Sequence, residues 1–315
     1  MRCALLSAQA EPALLELLGY LAGVGYFFIT PTPATHARVV AREVKRQAAD
    51  MRDTFGWSLP FAPEMLPPDL LAGLEGAGLL VPHGQLHKSR VRVASLGGRL
   101  FVHSAYPTLG ADAVFFGPDS YRFADFIRAE LPRASGVRRL VDLGAGAGVG
   151  AIVAAASLPD ARLTLLDVNP LALRFAAVNA RHAGVDVELV EGGSIDDVSG
   201  PVDLVIANPP YIMDDGARTY RDGGDMHGAR LSLDWTLAAA RRLEPGGRIL
   251  LYTGSAIAGG RDALHEALER ALPALGCSLR YREIDPDVFG EELEKPAYAG
   301  VERIAVVGAV VEAAQ

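Results

Sequence analysis

The chain has 315 residues, half of them hydrophobic and 22% charged, with a net charge of −8 at neutral pH. That composition excludes a disordered or fibrous chain and leaves room for one large core or two smaller ones. Its two cysteines, Cys3 and Cys277, offer neither a disulfide framework nor metal-ligand spacing, and fit a reducing, cytoplasmic setting.

Charge is distributed unevenly. Residues 1–139 carry 15 Lys and Arg against 12 Asp and Glu, and residues 140–315 carry 15 against 26, so the first part is +3 and the second −11. An acidic body argues against broad contact with a phosphate backbone, although a local basic strip can still steer one.

The apolar run in Met1–Ala10 is too short for a secretory signal. The next, Ala13–Ile29, contains Glu16 and three glycines and falls short of the roughly 20 residues of a membrane span, so a buried helix and strand are expected there. Helical patterns over Pro12–Leu21 and Thr35–Arg52 precede a proline-rich stretch from Pro60 to Pro68. Within the second, Arg38, Arg42, Lys45, Arg46 and Arg52 alternate with Glu43, Asp50 and Asp53. This reads as a solvated helix face with intrahelical ion pairs, or alternatively as a strip for RNA.

A short helix at Pro68–Ala77 leads to strand-like runs at Ser89–Ala94 and Arg99–Ser104, joined by Gly97-Gly98, a hairpin signal. The order resembles a winged helix. A smaller N-terminal α+β domain over residues 1–110, for substrate recognition or dimerisation, is therefore expected. The aromatic turn from Phe115 to Tyr121 either closes over a ligand or packs between domains.

From Val137 onward short apolar runs alternate with helical patterns, the signature of a parallel sheet with crossover helices. Strands are expected at 139–142, 162–167, 186–190, 203–207, 248–252, 278–283 and 302–307. Helices are expected near 148–158, 170–183, 229–243 and 261–274. Pro170 suits a first helical turn, and Gly184 and Gly246 follow helix ends.

The first of these strands, Leu140-Val141-Asp142-Leu143, passes through Gly144-Ala145-Gly146-Ala147-Gly148 into a helix. Glycines there let the backbone approach a ligand and take positive φ. Gly146, Gly148 and Ala151 satisfy the dinucleotide spacing, and Asp167 follows at the end of the next strand, where a ribose-binding acid belongs. Taken alone this fits NAD as well as S-adenosylmethionine. Asp142, just before the loop, would oppose a pyrophosphate but attract the cationic methionine portion of S-adenosylmethionine.

The fourth strand ends in Asn208-Pro209-Pro210-Tyr211. The prolines lack amide donors and hold φ near −65°, so the ladder breaks there and exposes carbonyls, the Asn208 amide and an aromatic face together. Two acceptors and a stacking face suit a planar group bearing an amino nitrogen.

These residues resemble the Asn-Pro-Pro-Tyr motif of amino-group methyltransferases, and Asp142–Gly148 resembles the first motif of class I S-adenosylmethionine-dependent methyltransferases. Over about residues 115–310 the chain is similar to release-factor glutamine methyltransferases and small-domain RNA methyltransferases. The resemblance implies a seven-stranded Rossmann-like domain over residues 111–315, its last two strands an antiparallel hairpin, with S-adenosylmethionine as cofactor. It implies that Asn208, Pro209, Pro210 and Tyr211 form the catalytic set, with the Asn208 oxygen and the Pro209 carbonyl accepting from the target NH2 and Tyr211 packing on it.

It further implies cofactor contacts from Asp142, Gly144, Ala145, Gly146, Gly148, Asp167, Val168, Ser194 and Asn208, with Asp167 holding the ribose hydroxyls; no metal site is expected. The chain departs from the family at Glu191-Gly192-Gly193-Ser194, where an acid near the adenine is usual; Ser194, Asp196 or a backbone carbonyl would take its place. The loop from Met213 to Arg230, with Asp214, Asp215, Arg218, Tyr220, Arg221, Asp222, Asp225 and His227, either borders the substrate or is plain surface. The acidic body places a protein glutamine ahead of an rRNA or tRNA base as acceptor. A small metabolite, or a non-catalytic S-adenosylmethionine-binding module, completes the alternatives. No membrane partner is expected.

Overall fold

A computed structural model describes residues 9–108, 110–133, 136–213 and 221–315. Helix α1 (Ala10–Gly23) is buried along Leu14, Leu17, Leu18 and Leu21, the i, i+3, i+4, i+7 stripe of an amphipathic helix. After an extended stretch come α2 (Pro33–Val40), α3 (Met51–Phe55) and α4 (Pro68–Gly76), then two hairpins, β1 (Leu80–His83) with β2 (Leu86–Ser89) and β3 (Val91–Leu96) with β4 (Arg99–Ser104). Gly97 and Gly98 turn the second hairpin at φ +57° and +76°, as their sequence predicts. The first hairpin was not foreseen, and it takes Ser89 out of the strand expected at Ser89–Ala94.

The single helix expected over Thr35–Arg52 is not formed. The chain leaves α2 at Val40, makes a short 3₁₀ turn at Glu43–Lys45 and re-enters helix at Met51. Asp50 caps α3 by accepting from the Asp53 amide at 2.8 Å, and Asp53 in turn takes Lys45 Nζ at 2.5 Å and the Ala49 amide at 3.1 Å. Local side-chain capping thus wins over helical periodicity. Arg38, Lys45 and Arg52 fall in three separate elements and Arg42 and Arg46 in the turns between them, so no helix face carries all five.

Beyond α5 (Pro118–Glu130) the chain alternates as expected through β5 (Arg139–Leu143), α6 (Val149–Ala155), β6 (Arg162–Asp167), α7 (Pro170–His182), β7 (Glu188–Glu191), β8 (Val202–Ala207), α8 (Arg230–Ala240), β9 (Leu243–Ala258), β10 (Arg261–Asp262), α9 (Ala263–Ala271), β11 (Cys277–Asp285) and β12 (Arg303–Ala313). The sheet order is β11-β12-β9-β8-β5-β6-β7, with β10 pairing the end of β9. Strands β5 to β9 run parallel, and β12 is antiparallel to both β9 and β11. This is a seven-stranded Rossmann-like doubly wound sheet with an antiparallel final pair.

The order reverses between β5 and β8: β6 and β7 continue on one side of β5, while β8 and β9 lie on the other. A doubly wound sheet opens a crevice at such a switch point, outside the C-terminal strand ends. The two sheet faces feed separate clusters. Leu140, Leu204 and Ile206 pack with α5, α6, α7 and the N-terminal elements. Val141, Val205 and Leu251 pack with α8 and α9, as side-chain alternation along a strand requires.

The N-terminal elements therefore share a core with the sheet. Asn179 on α7 ties the two further, accepting from the Val102 amide at 2.8 Å and donating to the Val102 carbonyl at 3.0 Å.

Candidate active site

The glycine loop occupies the crevice at the end of β5. Gly144, Gly146 and Gly148 take φ of +73°, +54° and +78°, the left-handed region that side chains other than glycine occupy at a cost. A Cβ on Gly144 would lie 2.7 Å from the Trp235 ring, so the indole of α8 covers the loop. Gly148 has a different reason: a Cβ there would meet Ala176 at 3.1 Å and Leu165 at 3.2 Å, so it lets the loop sit on α7 and β6.

Two carboxylates flank the loop at different depths. Asp142 is 1% exposed and its Oδ2 accepts the Ala151 amide at 2.8 Å, inside the first turn of α6. Burial pushes its carboxyl up to about 7 against that hydrogen bond, with the nearby Asp167 adding in the same direction. Asp167, at the end of β6, accepts the Gly146 amide at 2.9 Å through Oδ2 and the Asn169 amide at 2.8 Å through Oδ1. Burial also raises Asp167, while these amide bonds oppose the rise. A carboxylate has about four lone-pair sites, so Asp167 retains acceptor capacity toward the cavity it borders.

Asn208 to Tyr211 follow the last ladder pairs of β8, where Ala207 sits between Leu143 and Leu251. The Tyr211 ring lies against the bare backbone of β9: a Cβ on Gly254 would be 2.2 Å from its Cδ2. Phe289 meets the same ring edge-on at a centroid distance of 5.8 Å. Gly228 presses on the Tyr211 backbone, where a Cβ would come within 2.3 Å of the carbonyl oxygen.

The Tyr211 hydroxyl is buried beside the Asp119 carboxylate. Asp119 does accept from the Tyr252 hydroxyl at 3.0 Å, and Arg122 stands 3.7 Å from it while pairing with Asp285 at 2.8 Å. Burial raises Asp119, and burial together with Asp119 raises Tyr211.

One cavity of about 440 Å³ joins these parts, within the size range of small-ligand sites. It brings together Gly144, Ala145, Gly146, Asp167, Val168, Asn208, Pro209, Pro210 and Tyr211 from the expected set. Asp142, Gly148 and Ser194 do not line it. Asp142 lies beneath the loop, where its Oδ2 caps the first turn of α6.

Ser194 turns away to accept the Asp196 amide at 3.2 Å, and Asp196 pairs with Arg242 at 3.1 Å. At that departure from the family pattern it is Gly192 and Gly193 that face the cavity. The turn at 115–121 divides its work: Phe115, Asp119 and Ser120 line the cavity, while Phe116 packs on His103 and Tyr121.

Of the loop expected to border a substrate, Arg221 and Asp222 line the cavity. His227 does not, and its carbonyl accepts from the Tyr298 hydroxyl at 3.3 Å. Asp214, Asp215, Arg218 and Tyr220 lie outside the described residues. Trp235 and Phe289 line the cavity without a sequence signal, since each is a lone aromatic outside any motif. Asn169 is different: its position between Asp167 and the helix-starting Pro170 marks it as a cap, and it does cap α7, its side chain accepting the Leu171 amide at 3.0 Å.

Residues 124–271 match the family model described as methyltransferase small domain. The chain is 33% identical over 158 residues to a release factor glutamine methyltransferase of Deinococcus radiodurans, covering 49% of this chain and 55% of that protein. It is 35% identical over 159 residues to a 4-amino-L-phenylalanine/4-methylamino-L-phenylalanine methyltransferase of Streptomyces pristinaespiralis, 46% of this chain and 53% of that one. A ribosomal RNA small subunit methyltransferase C of Hahella chejuensis is 33% identical over 121 residues, 38% of this chain and 32% of that one. The chain thus spans about half the length of the first two relatives and a third of the last. Among the described residues no helix is long and apolar enough to cross a membrane, and no cluster of three or more metal-ligating side chains occurs.

Proposed function

We propose that this chain, matched to the methyltransferase small domain over residues 124–271, is an S-adenosylmethionine-dependent N-methyltransferase of a planar amide or amino group, with a protein glutamine as favoured acceptor. The observation that carries the reading is that Asn208–Tyr211, Asp167 and the positive-φ glycine loop meet in one cavity. The residues present fit the cofactor: a loop carrying nothing larger than alanine methyls, a carboxylate with free acceptor capacity at the second strand, and apolar cover from Phe115 and Trp235. Asp167 would hold the ribose hydroxyls, and Gly144–Gly146 would take the part of the molecule nearest the loop.

When bound, S-adenosylmethionine supplies an electrophilic methyl group on a sulfonium. The protein's task is alignment, worth roughly 7 to 11 kcal/mol where near-attack geometry is reached. An amide or aryl nitrogen is a weak nucleophile because its lone pair is delocalised. Asn208 Oδ1 and the Pro209 carbonyl, as acceptors, orient that NH2 and favour the positive charge that develops on nitrogen. Tyr211, clamped between Gly254 and Phe289, gives the planar group a face to lie on.

The favoured acceptor follows the release factor enzyme among the relatives and the acidic body, −11 over residues 140–315. A second reading, an aromatic amine of small size, is supported by the relative whose name gives 4-amino-L-phenylalanine as its acceptor. RNA is less favoured, since Lys45 and Arg46 of the basic strip already pair with Asp53 and Glu43.

Transfer of radiolabelled methyl from S-adenosylmethionine into a cell extract tests the proposal, with Asn208→Ala as the blank. Protease-sensitive macromolecular label is expected. Ribonuclease-sensitive label would move the acceptor to RNA, and label confined to small molecules to a metabolite. No Asn208-dependent label in any fraction would overturn the enzyme reading.

A further inference from the structure

The acceptor end of the cavity holds a buried acid to which methyl transfer assigns no part. Asp119 is 7% exposed and sits in the first turn of α5, where the positive end of the helix dipole favours a carboxylate. It borders the cavity together with Tyr211. Its own place is fixed from two sides: the Tyr252 hydroxyl donates to Oδ1 at 3.0 Å, and Arg122 stands 3.7 Å away while pairing with Asp285 at 2.8 Å.

Tyr211 has two apolar neighbours and one polar one. The bare Gly254 backbone lies under its ring, and Phe289 stands against it edge-on at 5.8 Å. Apolar contacts are non-directional, so they bound where the ring can lie but leave its tilt about the Cα–Cβ bond soft. A polar contact at the phenol oxygen, the atom farthest from the backbone, sets that tilt. Tyr252 and Gly254 are two residues apart on β9 and so face the same side of the sheet. The Tyr211 ring lying on Gly254 and the Tyr252 hydroxyl are thereby brought to one carboxylate.

Burial holds the Tyr211 hydroxyl well above its ordinary range, and the Asp119 charge adds to the effect. Burial also raises Asp119, and the Tyr211 hydroxyl, ahead of Tyr252 and Arg122, opposes that rise. A buried phenol deprived of its acceptor bears its desolvation cost unrelieved, and among the described residues no other group takes up the Tyr211 oxygen.

We propose that Asp119 is the positioning residue of the acceptor site: through the Tyr211 hydroxyl it sets the ring face on which the planar group lies. It also ties that face to the 115–121 turn, whose Phe115 lines the same cavity. A misplacement of about 1 Å can cost roughly a hundredfold in rate, so a tether on the ring reaches turnover without touching the cofactor. The consequence for turnover rests on the methyl-transfer reading; the tether itself does not.

Two measurements on the full chain test it. The first needs no methyl transfer. With ζ-¹³C tyrosine incorporated at all nine tyrosines, the Tyr211 resonance is assigned by its loss in Tyr211→Phe, and it should move upfield in Asp119→Ala. A Tyr211 resonance indifferent to Asp119 would overturn the proposal. The second is methyl transfer into cell extract, with S-adenosylmethionine affinity followed by calorimetry. Asp119→Ala and Tyr211→Phe should each lower transfer at least tenfold with affinity within a few fold. The double variant should be no worse than the poorer single one, because the two changes break one contact. Asp119→Asn keeps an acceptor oxygen and should recover part of the loss, and that recovery should vanish in the Tyr211→Phe background. Should Asp119→Ala fail to fold, the cycle with Asp119→Asn and the resonance in that variant decide. Losses that multiply, or cofactor affinity that falls in step with transfer, would overturn the proposal and leave Asp119 a structural pin for Tyr252. A wild type without Asn208-dependent transfer would be a failure of the methyl-transfer reading, and the Tyr211 resonance then decides by itself.

Discussion

Asp142 shows most sharply how neighbours decide what a residue does. Its place before the glycine loop suggests a ligand contact, yet its carboxylate is spent on the Ala151 amide under the loop. Its folded pKa, near 7, lies above the ordinary 3.8. Below about pH 4 the group is protonated whether folded or not and contributes nothing. As pH rises to 7 the unfolded chain ionises first, so this carboxyl lowers stability through that window and carries its full cost above it. Asp142→Asn keeps an oxygen for Ala151. It should therefore raise Tm at pH 8 by several degrees, with the gain fading to nothing toward pH 4, and should leave S-adenosylmethionine affinity within a few fold. A loss of Tm at every pH in thermal scans would show the charge itself to be structural. Asp167, by contrast, borders the cavity; Asp167→Ala should weaken cofactor binding at least tenfold by calorimetry, and unchanged affinity would remove it from the site.

At the scale of elements, the parallel strands, crossover helices and glycine loop were legible because period-2 and helical patterns, a strand-ending acid and clustered glycines each leave a local mark. Thr35–Arg52 was misread because Asp50 and Asp53 act through caps and a Lys45 contact that periodicity does not register. In the site, Asn208–Tyr211 was legible as a motif, while Trp235 and Phe289 reach it only through tertiary packing. The β9 backbone has an equally unheralded part: Gly254 is bare where the Tyr211 ring lies. Gly254→Ala would drive a Cβ into that ring at 2.2 Å, and since Gly254 is not at positive φ the strand itself can accept alanine. Turnover should fall at least tenfold with cofactor affinity little changed. Wild-type turnover in steady-state assays would show that Tyr211 need not be held where it is.

For the whole molecule, element order sets the expected boundary near residue 110, and buried apolar packing runs across that position. Leu14, Leu17, Leu18 and Leu21 of α1 belong to the same cluster as Phe175 and Val178 of α7, and Asn179 bonds the β4 backbone. Shared burial of this kind couples unfolding of the two parts. Calorimetry should record one transition for the full chain, and residues 111–315 alone, with the α7 face bared to water, should not fold stably. A well-folded fragment with its own sharp transition would show two independent units instead.

The central claim, that Asn208 presents the acceptor nitrogen within a cofactor cavity, is met most directly by comparing wild type with Asn208→Ala for S-adenosylmethionine affinity by calorimetry and for methyl transfer into extract. Asn208 follows the end of β8, and its side chain makes no hydrogen bond among the described residues, so the account predicts affinity within a few fold and transfer reduced at least a hundredfold. Persistent transfer, or loss of cofactor binding in step with activity, would contradict it.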